Sequence, residues 1–226
     1  MEREKLDKFF EGISRRLKSP VRVYLTGGTV SYLWGGNRPP EGTSFGLHCS
    51  GPAVWDLQHE MEAVSQSTGL PHKIKSLPGL LERVYLPDYK KGAKLWKRFG
   101  RLSVYLLNWK VWSIGKISRG ESSDHQDLRV VFQKLRPSPF EVLKIWEKAF
   151  ASGMTPLQHQ TYVRSVETFF QKFCQEVWGV HMDPQKVLTL FRRRAGEISR
   201  NFPNSFPIFS TLSRPSPSYG QSLERH

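Results

Sequence analysis

Val21-Arg22-Val23-Tyr24-Leu25-Thr26-Gly27-Gly28-Thr29 reads as a strand that runs into a turn. Val21, Val23 and Leu25 alternate with Arg22 and Tyr24, the two-residue period of a strand with one face buried. Gly27-Gly28 breaks that strand. Thr29 to Trp34 then suits a short helix, which Gly35-Gly36-Asn37 stops. Upstream, Leu6, Phe10, Ile13 and Leu17 recur at helical spacing over residues 2–17, and Pro20 ends that helix. Downstream, Arg38 to Gly42 is a loop, 43–49 is a second strand, and a helix runs from Pro52 to about Thr68 with Val54, Leu57, Met61 and Val64 on one face.

The next stretch is rich in turn residues: Pro71, Pro78, Gly79, Pro87, Gly92 and Gly100. Strands fit 94–98 and 102–107, and a helix fits 108–118. Ser123 with Gln126 three residues on predicts a capping box for a helix over 124–135. Ser138-Pro139, Thr155-Pro156 and Asp183-Pro184 each set a capping residue before a proline, so three more helices begin there. The longest covers about 156–178, striped by Val163, Val166, Phe170, Phe173 and Val177. The Ser/Pro-rich end after residue 200 has no period and reads mostly as a flexible tail. The expected fold class is α+β, α/β-like in its element order: a small mixed sheet flanked by helices, with a helical C-terminal extension. The expected division is 1–135, 136–200 and a tail over 201–226.

Composition narrows the function classes. The 226 residues carry 34 Lys and Arg against 20 Asp and Glu, a net charge of +14. Residues 72–119 hold most of that excess, with cations and rings interleaved: Tyr85, Tyr89, Lys90, Lys91, Lys94, Trp96, Lys97, Arg98, Phe99, Arg101. Cations attract phosphates and exposed rings stack on bases, so Lys90, Lys91, Lys94, Trp96, Lys97, Arg98 and Arg101 are candidate nucleic-acid-binding residues. A solvated basic surface whose rings pack inward fits the same letters. No apolar run is long enough to span a bilayer. The charged N-terminus does not resemble a secretory signal, and two cysteines are no disulfide framework, so a reducing cytoplasm is expected. Cys174 lies in the apolar region of the longest helix and is expected to pack, not react. Neither His48-Cys49 nor any Cys-x-x-Cys spacing makes a zinc site. Arg192-Arg193-Arg194 suits either a nucleic-acid contact or a charged helix end.

A second stretch stands out: Gly115-Lys116-Ile117-Ser118-Arg119-Gly120, followed by Asp124-His125-Gln126-Asp127-Leu128. Together with Tyr24-Leu25-Thr26-Gly27-Gly28-Thr29, in that order, it resembles the nucleotidyltransferase-fold superfamily. The likeness is to its small prokaryotic group related to abortive-infection and toxin–antitoxin proteins, and it covers about residues 20–135. Thr26, Gly27, Gly28 and Thr29 open a helix whose backbone N–H groups suit a phosphate, and the resemblance implies that Lys116, with Arg119 three residues on as its helical neighbour, clamps one. Lys116 paired with Asp124 or Asp127, and a tight turn without ligand at the glycines, are the competing readings. Asp124 in the first turn of its helix would also meet the helix dipole favourably.

The same resemblance implies a second strand reading Arg-x-Thr-x-Asp-x-Asp, whose carboxylates hold Mg²⁺ against a nucleoside triphosphate. Here Thr43 matches, but the aspartate places fall on Phe45 and Leu47, and a one-residue shift gives Gly46 and His48. The strand near 102–107 offers no third acid. A hard cation needs oxygen ligands, so a degenerate site without a metal is expected, with a pocket floored by Phe45 and Leu47. No catalytic residue is assigned and no cofactor is expected. The reading is a binding protein whose partner is RNA, tRNA among the candidates, another polyanion or a nucleotide. The alternatives are an active transferase with Mg²⁺ and a triphosphate held by displaced acids such as Glu41 or Asp56, and a regulator with a protein partner. Calorimetric titration with Mg²⁺ and ATP or CTP is expected to show no metal-dependent binding. Micromolar binding that disappears with a chelator overturns that expectation.

Overall fold

The structure, a computed structural model, describes residues 3–36, 43–47, 53–70, 72–76, 90–150 and 156–201. Helix α1 (Arg3–Arg16) buries Leu6, Phe9, Phe10 and Ile13, which recur every three or four residues and so share one face. Strand β1 (Val21–Thr26) follows, and its burial shows only Arg22 exposed. Such a strand belongs in the middle of a sheet. Helix α2 (Gly27–Leu33), β2 (Thr43–Leu47), α3 (Ala53–Thr68) and β3 (His72–Ser76) come next, then β4 (Lys94–Phe99) and β5 (Leu102–Leu106). The strands form one sheet in the order β3-β2-β1-β5-β4. β1 runs parallel to β5 and antiparallel to β2, β2 parallel to β3, and β4 antiparallel to β5.

One face of the sheet is apolar. Val21, Val23 and Leu25 pair with Leu102, Val104 and Leu106, and all six are buried. α1 packs on that face near β4 and β5, where Phe10 meets Phe99 with ring centroids 5.5 Å apart. Burying a Leu, Ile or Phe side chain contributes about 1.5–3 kcal/mol each, so this interface anchors α1. α3 packs on α1 through a face that includes Leu57, Met61 and Val64.

Beyond β5 the chain is helical: α4 (Trp109–Arg119), α5 (Ser122–Leu135), α6 (Pro139–Phe150), α7 (Pro156–Trp178) and α8 (Pro184–Asn201). The prolines open α6, α7 and α8 as the cap-proline pairs predict. At α8 the Asp183 carboxylate accepts the Gln185 backbone N–H at 2.8 Å. An aromatic core fills this part, with Trp146 against Phe169 at 5.5 Å and Phe170 stacked on Trp178 at 5.5 Å. Their polar tips find partners: Trp146 Nε1 donates to Ser113 Oγ, and Trp178 Nε1 to the Pro137 carbonyl. Cys174 is buried in the same core, and burial pushes its thiol up to about 11, so packing is its role.

Two expectations need correction. His72–Ser76 is a strand and not part of a turn-rich connection; its Lys-x-Lys alternation hid it until β2 supplied a partner. The capping box does not form either. α5 starts at Ser122 with Glu121 at the N-cap position, and no side chain caps it. Of the tail expected over 201–226, Asn201 ends α8 and the rest lies outside the described residues.

His159 is buried on α7 and stacks on Phe150, ring centroids 4.3 Å apart. Burial pushes its ring down to about 4, against a backbone hydrogen bond at Phe150 that favours the charged form. The fold therefore prefers the neutral ring. That preference is harmless above the unfolded value of about 6.5 and costs stability as pH falls from there toward the folded value. His125, also lowered by burial against the pull of Asp124, acts in the same direction. Urea midpoints measured between pH 7 and pH 4 should fall in the wild type and fall less steeply in His159→Leu. Parallel curves would refute the assignment.

Candidate functional site

The two stretches that carry the resemblance meet at the carboxyl ends of β1 and β5. Parallel neighbours end on the same side of a sheet, so the turn after β1 and the helix after β5 are brought together. Thr26 is extended and sits at the N-cap position of α2, with no side-chain cap bond. Gly27 follows at φ 66°, a backbone conformation that a side chain disfavours. Its carbonyl accepts the Trp112 indole N–H at 2.9 Å. Thr26 and Thr29 are buried, whereas Gly27 and Gly28 are half-buried. Trp34, at the end of α2, meets Trp112 edge to face at 5.4 Å.

Trp112 is one turn before Lys116 on α4, so both occupy one face. The Lys116 Nζ is 5.8 Å from the Trp112 ring centroid. It also reaches Asp124 Oδ1 at 2.7 Å and Asp127 Oδ2 at 2.5 Å, and all three side chains are buried. Arg119 closes the network on Asp124, with Nε at 2.9 Å from Oδ2 and a terminal nitrogen at 2.5 Å from Oδ1. Burial alone would raise the Asp124 carboxyl. The Arg119 hydrogen bond and the Lys116 charge hold it below the ordinary carboxylate value. Burial likewise opposes the Arg119 charge, and Asp124 outweighs it, so that guanidinium is held above its ordinary value. Lys116 is thus engaged by two carboxylates, the ion-pair arrangement that the sequence left open beside the phosphate clamp.

Gly120 lets α4 turn into α5. It sits at φ 68°, and a Cβ there would come 2.8 Å from Ser165 Oγ on α7. Ser165 Oγ in turn shares a hydrogen bond with His125 Nε2 at 2.9 Å. Trp112 and Ser165 are the residues that sequence reasoning missed. The spacing of Trp112 from Lys116 could have found the first. Nothing local marks the second.

The carboxylates that the resemblance implies do not occur on the five described strands. Phe45 pairs with Leu25 and Leu47 with Val23, the register positions of the apolar face. The β2 positions opposite Thr26 and Tyr24 are Ser44 and Gly46. β1, β2, β3, β4 and β5 contain no Asp or Glu, but they include Arg22, Lys73, Lys75, Lys94, Lys97 and Arg98. Asp124 and Asp127 are buried acids among the described residues, and a cation would have to displace Lys116 to use them. The described donor set therefore does not fit a divalent metal. Glu41, His48 and Cys49 lie outside the described residues.

The basic stretch is exposed at Lys90, Lys91, Lys94, Lys97, Arg98 and Arg101. Lys97 Nζ pairs with Asp7 of α1 at 2.7 Å, and the Arg101 guanidinium donates to the Leu17 carbonyl at 2.6 Å. The Trp96 ring turns inward, half-buried, and meets Phe10 at 6.0 Å and Phe99 at 6.1 Å. Trp96 and Phe99 therefore do not form the ladder of outward rings that the interleaving suggested. Of the Arg192-Arg193-Arg194 run, Arg192 pairs with Glu167 and Arg194 with Glu147.

Removing Lys116 alone strands two buried carboxylates beside a single remaining cation. Lys116→Met is expected to destabilise the protein by about 3–5 kcal/mol, the usual cost of breaking a buried pair from one side. Arg119→Ala, at a guanidinium one-quarter exposed, should cost less. Urea denaturation of both variants checks the order, and a near-neutral Lys116→Met would refute it.

Neither a protein-family model nor a curated protein matches this chain. Two solved structures from Helicobacter pylori align with it. JHP933 does so at 12% identity over 90% of this chain and 95% of its own, with a TM-score of 0.31. A protein assigned provisionally as a nucleotidyltransferase does so at 13% identity over 90% of this chain and 98% of its own, again with a TM-score of 0.31. Superposition that loose carries no argument about this chain's fold or chemistry.

Proposed function

We propose that this chain is a nucleotidyltransferase-like scaffold that binds RNA or another polyanion through its basic sheet edge, without metal-dependent nucleotidyl transfer. The observation that carries the reading is the composition of the sheet: five strands with six cations and no carboxylate. Metal-assisted phosphoryl chemistry needs oxygen ligands fixed on a rigid element, and these strands offer none. The same surface attracts phosphates, because Lys91, Lys94 and Arg98 are exposed on and just before an edge strand of the described sheet.

The residues first singled out contribute unequally. Lys91, Lys94 and Arg98 are the strongest candidates for phosphate contact. Lys97 would have to leave Asp7, and Trp96 serves the core that supports the strand. Thr26, Gly27, Gly28 and Thr29 shape the turn, while Lys116 and Arg119 hold α4 to α5. Among the described residues no helix is long and apolar enough to cross a membrane.

Electrophoretic mobility shifts with RNA across a salt series test the proposal. Changing Lys91, Lys94 and Arg98 together to Glu should weaken binding at least about tenfold near 50 mM salt, because released counterions dominate phosphate binding. Arg193→Glu, at an exposed position on α8, should change little. Affinity that is flat with salt, or equal loss in both variants, would sink the reading.

A further inference from the structure

Strand register sorts the basic stretch onto two faces of the sheet. Phe99 pairs with Leu102 and Lys97 with Val104, the positions of the apolar face that α1 covers. Arg98 instead pairs with Ser103, and Ser103 pairs with Arg22 on β1. Leu95 pairs with Tyr105, and Tyr105 with Tyr24. The break in register between Leu95 and Lys97 makes this split possible, because Trp96 is the extra residue of a bulge. Without the bulge, Leu95 and Lys97 would share a face.

The face turned away from α1 therefore carries two neighbouring rows, Arg22-Ser103-Arg98 and Tyr24-Tyr105-Leu95. Alternate strand residues are about 7 Å apart, so guanidinium and ring lie within reach of one nucleotide. The two tyrosine rings stack with centroids 5.3 Å apart and planes 23° from parallel. Tyr24 is the buried member and supports Tyr105, which is half-buried. Leu95 beside it is 48% exposed, and Arg22 and Arg98 are both exposed. The Tyr24 row continues through Gly46 of β2 to the register position of Lys75 on β3, and the next row, that of Thr26, runs through Ser44 to Lys73.

We propose that this face binds single-stranded nucleic acid by its bases as well as its phosphates: an unpaired base lies on Tyr105 and Leu95, and Arg22 and Arg98 take the flanking phosphates. The inference rests on the polyanion reading above and adds the class of ligand. Ring, apolar shelf and cations together suit a strand whose base faces are open, whereas a duplex hides those faces and offers only its phosphates. Pairing of a peptide strand along β4 is the less suitable use, since the bulge and the lysines at its edge oppose added strands.

Fluorescence anisotropy at low salt tests this with three probes: a short single-stranded RNA, a hairpin duplex of equal charge, and inorganic polyphosphate. Single strands should bind more tightly than the other two. Tyr105→Leu should weaken single-strand binding roughly 5- to 100-fold, the range of one lost base-stacking contact, and leave duplex and polyphosphate unchanged. Leu95→Tyr, at an exposed site, should strengthen single-strand binding without burdening the fold. Arg22→Glu with Arg98→Glu should weaken all three probes. Circular dichroism confirms that each variant is folded. If all three probes bind alike, and Tyr105→Leu and Leu95→Tyr leave single-strand affinity unchanged, base binding is refuted while the charge-based reading stands. If none of the probes binds, both readings fall and the face belongs to a protein partner.

Discussion

Lys116 takes its ammonium group out of water and places it between Asp124 and Asp127, and the geometry of the helical half follows from that burial. A buried charge without partners costs several kcal/mol, so the helix carrying Asp124 and Asp127 must lie against the helix carrying Lys116. Gly120 provides the left-handed turn that lets it do so, and Arg119 at the end of α4 completes the neutralisation. Two cations and two carboxylates balance, which is the condition under which such a network is tolerated inside a protein. One turn earlier on the same helix, Trp112 donates to the Gly27 carbonyl and ties the network to the end of β1. On the far side, Ser165 brings α7 against Gly120 and His125. Sheet and helices are thus joined through the hub that the two motifs build.

That arrangement changes what the motifs can do. A lysine with two buried carboxylate partners is not poised to follow an incoming phosphate, and the Asp124 carboxyl, held below its ordinary value by Arg119 and Lys116, already has its charge balanced. The chemistry available to the rest of the site is set by the sheet. With no acid on any of its five strands, its field is positive at both the Arg22–Arg98 row and the β4 edge. That imbalance is what the polyanion-binding proposal rests on. Under the base-binding proposal, selectivity lies at the Tyr24–Tyr105 pair on the face away from α1.

Much of the fold was legible from local signals. Cap-proline pairs opened α6, α7 and α8 because a proline fixes the first helical φ and needs no hydrogen-bond partner there. The apolar period of α1 and the alternation of β1 appear where the letters place them, since a single buried face demands that spacing. β3 was not legible. His-Lys-Ile-Lys-Ser has one apolar residue, and its strand character comes from pairing with β2. The capping box failed for the opposite reason: the local pattern was present, but the tight Gly120 turn began the helix earlier, at Ser122.

The sequence alone determined that this chain has a strongly basic stretch over residues 72–119, a Gly-Gly break after its first strand, and Phe45 and Leu47 at the places where the resemblance implies aspartates. Those facts depend on which residues are present and on short-range spacing. Only the tertiary structure decided that Lys116 pairs with Asp124 and Asp127, that Trp96 turns inward, and that Arg98 joins Arg22 while Lys97 joins Asp7. The physical reason is register. A strand's side chains alternate with a period of two, so one bulged residue reassigns every neighbour to the other face. No property of the residues taken one at a time records that shift.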